Sequence, residues 1–123
     1  MEVVNSINLS MGKNKLLIRG AKEKDAYQIA TVLLDFYNME NKDEAIKVFI
    51  NEREKEFHYI VAIENNEILG LVTWLVHGLP KHGLFELDRI CILGNSRGKG
   101  IGKKLVDALI EDAKGWYMDR NEK

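Results

Sequence analysis

Along the chain, apolar positions recur now at every second residue and now at every third or fourth, and each change of period marks an element. Lys15-Leu16-Leu17-Ile18-Arg19 predicts a short strand ended by Gly20. From Lys24 to about Met39, Ala26, Ile29, Ala30, Leu33, Leu34 and Tyr37 fall on one helical face, with Asp25 placed to favour the positive end of the helix dipole. A second helix, with Asp43 as cap or first-turn acid, carries Ile46, Phe49 and Ile50 and ends near Glu54. Phe57 to Glu64 and Glu67 to His77 read as strands, and Asn65-Asn66 between them suits a tight hairpin. Gly70 inside the second marks a bulge or a close backbone approach. After the loop Gly78-Leu79-Pro80-Lys81-His82-Gly83, the run from Leu84 to Leu93 predicts another strand. Ile101, Leu105, Leu109 and Ala113 then trace one face of a helix that begins inside a glycine cluster.

That cluster, Arg97-Gly98-Lys99-Gly100-Ile101-Gly102, points to anion chemistry. The first turn of a helix has backbone N–H groups without partners and the positive end of the dipole, and glycines let a large anion approach closely. Two familiar phosphate loops fail on spacing. A P-loop requires Gly-Lys-Ser/Thr after four residues, whereas Lys99 is followed by Gly100. The third glycine of a dinucleotide fingerprint would fall at Lys103.

Arg97, Gly100 and Gly102 do match an Arg/Gln-x-x-Gly-x-Gly/Ala signature. Preceded by the strand end Ile90-Cys91-Ile92 and followed by an amphipathic helix, it resembles the acetyl-coenzyme A loop of the GNAT superfamily of N-acetyltransferases. The order of strand, two helices, three antiparallel strands, loop and helix resembles the first two thirds of that domain. The resemblance implies an α+β fold, a mixed and mostly antiparallel sheet with helices on both faces, and acetyl-CoA as co-substrate. By the same resemblance the backbone from Arg97 through Gly98, Lys99, Gly100, Ile101, Gly102 and Lys103 holds the pyrophosphate, and Ile90, Cys91 and Ile92 pair with the pantetheine arm. Lys103 is also a candidate for the ribose phosphate. Residues 1–14 read as an N-terminal extension and 15–123 as a partial domain, apparently C-terminally truncated. The family would continue after Lys123 with a fifth strand, another helix and a final hairpin. Without them the last strand is an exposed edge, through which a homodimer is one expectation.

Composition narrows the class. A chain of 123 residues suits one domain, and a net charge of −1 gives no electrostatic footprint for nucleic acid. A single cysteine excludes an internal disulfide and suits a reducing, cytoplasmic setting. No apolar run is long enough for a membrane span, and His58, His77 and His82 are too few and scattered for a metal site.

Acetyl transfer to an amine requires a base, a donor to the thioester oxygen and a proton for the thiolate. Strict alternation places Glu86, Asp88, Ile90 and Ile92 on one strand face. Glu86, counted back from Arg97, sits where some family members carry a catalytic glutamate, and Phe85 or Tyr59 is expected to bury it. Asp88 is the second candidate, or else the partner of a base such as Lys81. By the family resemblance a backbone N–H near Cys91 or Ile92 is the oxygen donor, and solvent is expected to supply the thiolate proton. Cys91 reads as a small buried hydrophobe rather than a nucleophile. Phe36 and Tyr37 either line an acceptor groove or pack in the core. The expected activity is an N-acetyltransferase working by direct attack in a ternary complex. The alternative is a weak or inactive fold that only binds coenzyme A or serves as an interaction module.

Overall fold

A computed structural model describes residues 15–37, 39–78 and 80–121. The expected extension at 1–14 lies outside them. Four strands, β1 (Leu17–Gly20), β2 (His58–Glu64), β3 (Glu67–Val76) and β4 (Phe85–Ile92), form one sheet in the order β1-β2-β3-β4. Every neighbouring pair is antiparallel. Helices α1 (Ala26–Phe36) and α2 (Lys42–Glu54) cover one face, and α3 (Ile101–Asn121) covers the other.

Alternation along β2 and β3 builds both cores. Tyr59, Val61, Ile68 and Leu71 pack with Ile29, Leu33, Ala45 and Phe49 beneath α1 and α2. Ile60, Ala62, Val72 and Trp74 pack with Ile101, Leu105, Leu109 and Ala113 of α3. The Trp74 indole is wholly buried, stacks on the His58 imidazole at 4.1 Å, and donates from Nε1 to Asp112 Oδ2 at 2.9 Å. Trp116 closes this aromatic cluster edge-on to Trp74.

The first helix is shorter than its periodicity predicts. A 3-10 turn over Glu23–Asp25 precedes it. Asp25 is occupied by Arg19, with bonds of 2.7 and 3.0 Å, and by the Lys22 N–H, so it joins β1 to the helix entry. Asn41 caps α2 by accepting from Glu44 N–H, and Asp43 lies in the first turn. Asn65 and Asn66 both have positive φ, the conformation a two-residue hairpin turn requires.

Gly70 combines both expectations. The register slips between Ala62↔Gly70 and Ile63↔Ile68, leaving Leu69 as an extra residue. A Cβ at Gly70 would lie 3.0 Å from the Cys91 carbonyl, so the position brings β3 close to β4. A second slip, which the sequence does not announce, lies between Thr73↔Arg89 and Trp74↔Leu87 and makes Asp88 an extra residue in β4.

That second bulge corrects the strict alternation. Ile90 and Ile92 face α3, whereas Cys91 joins the opposite core. Beyond the bulge the phase reverses: Phe85 packs against the α3-side core, and Glu86, paired with Leu75, turns to the side of α1 and α2. Glu86 and Asp88 therefore share a face with each other but not with Ile90 and Ile92.

Candidate active site

Among the described residues, β4 is an edge strand. Leu93 N–H donates to Leu69 O, so alternation turns the main-chain groups of Leu93 and Cys91 toward β3 and those of Ile90 and Ile92 toward the open edge. Cys91, grouped with its neighbours from sequence, thus offers the edge neither main chain nor side chain. Its buried thiol is pushed up to about 11 by desolvation, which keeps it protonated and unreactive at neutral pH.

The strand ends in a 3-10 turn, Gly94–Ser96, and then the glycine cluster. Gly98 and Gly100 have φ of 79° and 80°, and a Cβ at either would stand in open space. Glycine is therefore required here by the backbone conformation and not by crowding. The first helical bond of α3 runs from Lys104 N–H to Gly100 O at 3.3 Å. Gly100 consequently occupies the cap position with no side chain to cap, and the first-turn N–H groups of Ile101, Gly102 and Lys103 have no partner inside the helix. This is a concave set of backbone donors at the positive end of a helix of 21 residues.

Side chains brace that turn without filling it. Arg97 Nε donates to the Ile92 carbonyl at 3.0 Å, occupying one acceptor of the open edge. Asp35, on the last turn of α1, accepts from Gly94 N–H at 3.1 Å and stands 3.9 Å from Arg97 Nη2. Lys103 is exposed and pairs with Asp107 one turn on.

The other half of β4 carries a charged network. Glu52 of α2 accepts from Arg89 through both oxygens, at 2.9 and 2.6 Å. Tyr59 donates to the same carboxylate at 2.5 Å and accepts from Arg89 Nη1 at 3.0 Å. Burial is the strongest single influence and opposes the Arg89 charge, but the hydrogen bonds to Glu52 together with the electrostatic attraction of Tyr59, Glu52 and Tyr37 raise its pKa. Burial and then Glu52 push the Tyr59 hydroxyl far above its ordinary range, so it stays a donor. Asp88 accepts from Thr73 Oγ1 at 3.1 Å and lies 3.2 Å from Arg89 Nη2, so its partner is Arg89 and not Lys81.

Glu86 is not buried by Phe85 or Tyr59. Its carboxylate is 55% exposed and meets His77 Nδ1 at 3.3 Å. Phe36 and Tyr37 are both partly exposed at the end of α1, with the Tyr37 ring 5.7 Å from the Arg89 guanidinium, which places them beside this network rather than in the core. The Tyr117 hydroxyl, at the far end of α3, donates to the Leu84 carbonyl and ties α3 to β4.

The structure thus brings Ile90, Ile92 and the turn 97–103 onto one continuous edge, and sets Glu86 and Asp88 on the α1/α2 face of the same strand. Sequence reasoning missed Asp35, Glu52 and Thr73. These lie 59, 37 and 15 residues from the groups they bind, with no local pattern to announce them. Among the described residues no group of three His, Cys, Asp or Glu side chains could hold a metal ion, and no helix is long and apolar enough to cross a membrane.

A family model described as the acetyltransferase (GNAT) family matches residues 25–121. An N-acetyltransferase from Staphylococcus aureus Mu50 is 27% identical, over 82% of this chain and 67% of that one, with a TM-score of 0.65. A ribosomal-protein-alanine N-acetyltransferase from Brucella melitensis biovar Abortus 2308 shares the fold at 23% identity, covering 82% and 73% of the two chains, with a TM-score of 0.68. A GNAT family acetyltransferase from Brucella melitensis, solved in complex with acetyl-CoA, shares it at 24% identity, 84% and 71% coverage and a TM-score of 0.67. No curated protein sequence matches the chain.

Proposed function

The chain belongs to the acetyltransferase (GNAT) family, and from that membership we propose that it transfers the acetyl group of acetyl-CoA to an acceptor amine by direct attack in a ternary complex. The observation that carries this reading is the uncapped α3 N-terminus continuous with the open edge of β4. The pyrophosphate of the co-substrate fits the backbone from Arg97 through Gly98, Lys99, Gly100, Ile101, Gly102 and Lys103, where two positive-φ glycines leave room and no side chain competes. Its amide-bearing arm suits the main-chain groups of Ile90 and the N–H of Ile92, whose carbonyl is held by Arg97. Arg97 acts here by holding the strand end.

An N–H of Ile90 or Ile92 donates to the carbonyl oxygen as it gains charge, and the pairing of Ile90 with Val72 holds that part of the strand in place. Glu86 and Asp88 supply negative charge that draws an ammonium group to the α1/α2 face and assists loss of its proton. Phe36 and Tyr37 form the wall on which the acceptor's carbon skeleton lies. The thiolate of the departing coenzyme A takes its proton from solvent. The open β4 edge is also where a homodimer would form by strand pairing, and sedimentation with and without acetyl-CoA separates the two uses of that edge.

Calorimetric titration with acetyl-CoA, followed by thiol release in the presence of a primary amine, tests the reading. Ligand at ~100 times its dissociation constant should stabilise the chain by about 2.7 kcal/mol. Absence of binding at millimolar acetyl-CoA would remove the proposal.

A further inference from the structure

Among the described residues, His77 is the imidazole that meets a carboxylate of β4, and its position follows from the ladder. His77 N–H donates to Leu84 O at 3.0 Å, which extends the β3 and β4 pairing one step past Val76↔Phe85. His77 is thereby a diagonal cross-strand neighbour of Glu86, on the face that Leu75 and Glu86 share. Its Nδ1 lies 3.3 Å from Glu86 Oε1.

Resting on the acetyltransferase reading, we infer that Nε2 of His77 is the base that deprotonates the acceptor, with Glu86 as the positioning residue that holds the ring. An ionised carboxylate only accepts hydrogen bonds, so its partner nitrogen carries the proton and the lone pair is left on the other ring nitrogen. His77 and Glu86 are 64% and 55% exposed, so Nε2 is open to an incoming amine. Beside them the end of α2 and the end of β3 enclose a cleft of about 300 Å³ lined by Glu54, Lys55, Glu56, Leu75 and Val76. The charged groups near the cleft are Glu54, Lys55 and Glu56, with Glu86 opposite Leu75 and His82 next to Gly78.

The chemistry explains why an imidazole serves better than a carboxylate alone. An alkylamine arrives as ammonium, and the efficient base is one that titrates near the working pH. Nε2 takes one proton from the ammonium, and the freed lone pair forms the C–N bond to the thioester carbon. The C–S bond then breaks, its electron pair leaves on sulfur, the second nitrogen proton passes to solvent, and solvent returns one proton to the thiolate. Water receives the proton from Nε2.

Two measurements test this. Ring nitrogen NMR of the free protein, assigned through His77→Gln, should show neutral His77 protonated on Nδ1, and Glu86→Ala should shift the ring toward the Nε2-protonated tautomer. A ring protonated on Nε2 would overturn the assignment without any acceptor being known. In turnover assays with acetyl-CoA, His77→Gln should slow an alkylamine by about 100-fold or more, leave acetyl-CoA affinity unchanged, and spare an arylamine that is already deprotonated at neutral pH. An equal loss with both amines, or full alkylamine rate in His77→Gln, would refute the base role. Failure of acetyl-CoA binding in the wild-type chain would instead strike the acetyltransferase reading.

Discussion

At its C-terminal end β4 runs into a turn whose polar groups belong to the backbone and whose residues 98 and 100 have no side chain, so that end is prepared by what is left out. In its N-terminal half the strand is fixed by filling, with Asp88 and Arg89 bound to Thr73, Glu52 and Tyr59. Backbone donors can serve an anion only while nothing covers them. Charged groups at a strand surface keep one arrangement only when every partner is supplied. The two halves should therefore fail differently: the network through stability, the turn through ligand affinity.

The largest effect should come from Glu52→Gln. It removes the two-oxygen anion of Arg89, whose side chain is only 13% exposed, and leaves only Asp88 beside it, at a cost of about 3 kcal/mol in urea unfolding. A Glu52→Leu, Arg89→Met double variant should recover most of that loss. Next, Gly100→Glu should weaken acetyl-CoA binding by at least about tenfold, or ~1.4 kcal/mol, read by calorimetry. The strain of a side chain at positive φ should cost the fold only roughly 1–2 kcal/mol. Asp35→Ala removes the acceptor of Gly94 N–H and loosens the turn by about 1 kcal/mol, or roughly fivefold in acetyl-CoA affinity. Its exposed pairing with Arg97 adds little.

The smallest effect concerns neither half and serves as a control. Burial against Trp74 lowers the His58 pKa in the folded state. The unfolded chain therefore binds the proton first, and stability present above about pH 6.5 declines as pH falls toward the folded-state value. His58→Phe should flatten that part of a melting-temperature profile. Asp25, held below the usual carboxylate range by Arg19, gives a separate loss only at lower pH.

Much of the first half of this comparison was legible in the sequence. Gly98, Gly100 and Gly102 stand at fixed offsets from Arg97, and Ile101, Leu105 and Leu109 declare the helix that follows. The hairpin at Asn65-Asn66 and the close approach at Gly70 carry their own residue signatures. The second half was hidden. No glycine marks the bulge at Asp88, so period-two counting continued through it and set Glu86 on the wrong side relative to Ile90. Glu52 and Asp35 look like ordinary solvated acids on helices, and only the packing of α2 and α1 against the sheet brings them to Arg89 and Gly94.

The bulge amounts to a question of parity. Residues after Asp88 and residues before it are counted in opposite phase, and one extra amino acid makes the difference. Deleting that residue would restore regular pleating with Phe85 still opposite Val76 and Glu86 still opposite Leu75, so the ring and the carboxylate keep their faces and only the Asp88 carboxylate is lost. For an evolving gene, the loss of that one codon would leave both the strand's hydrophobic anchor and its acid where they are, because the pairing already passes over the residue it encodes.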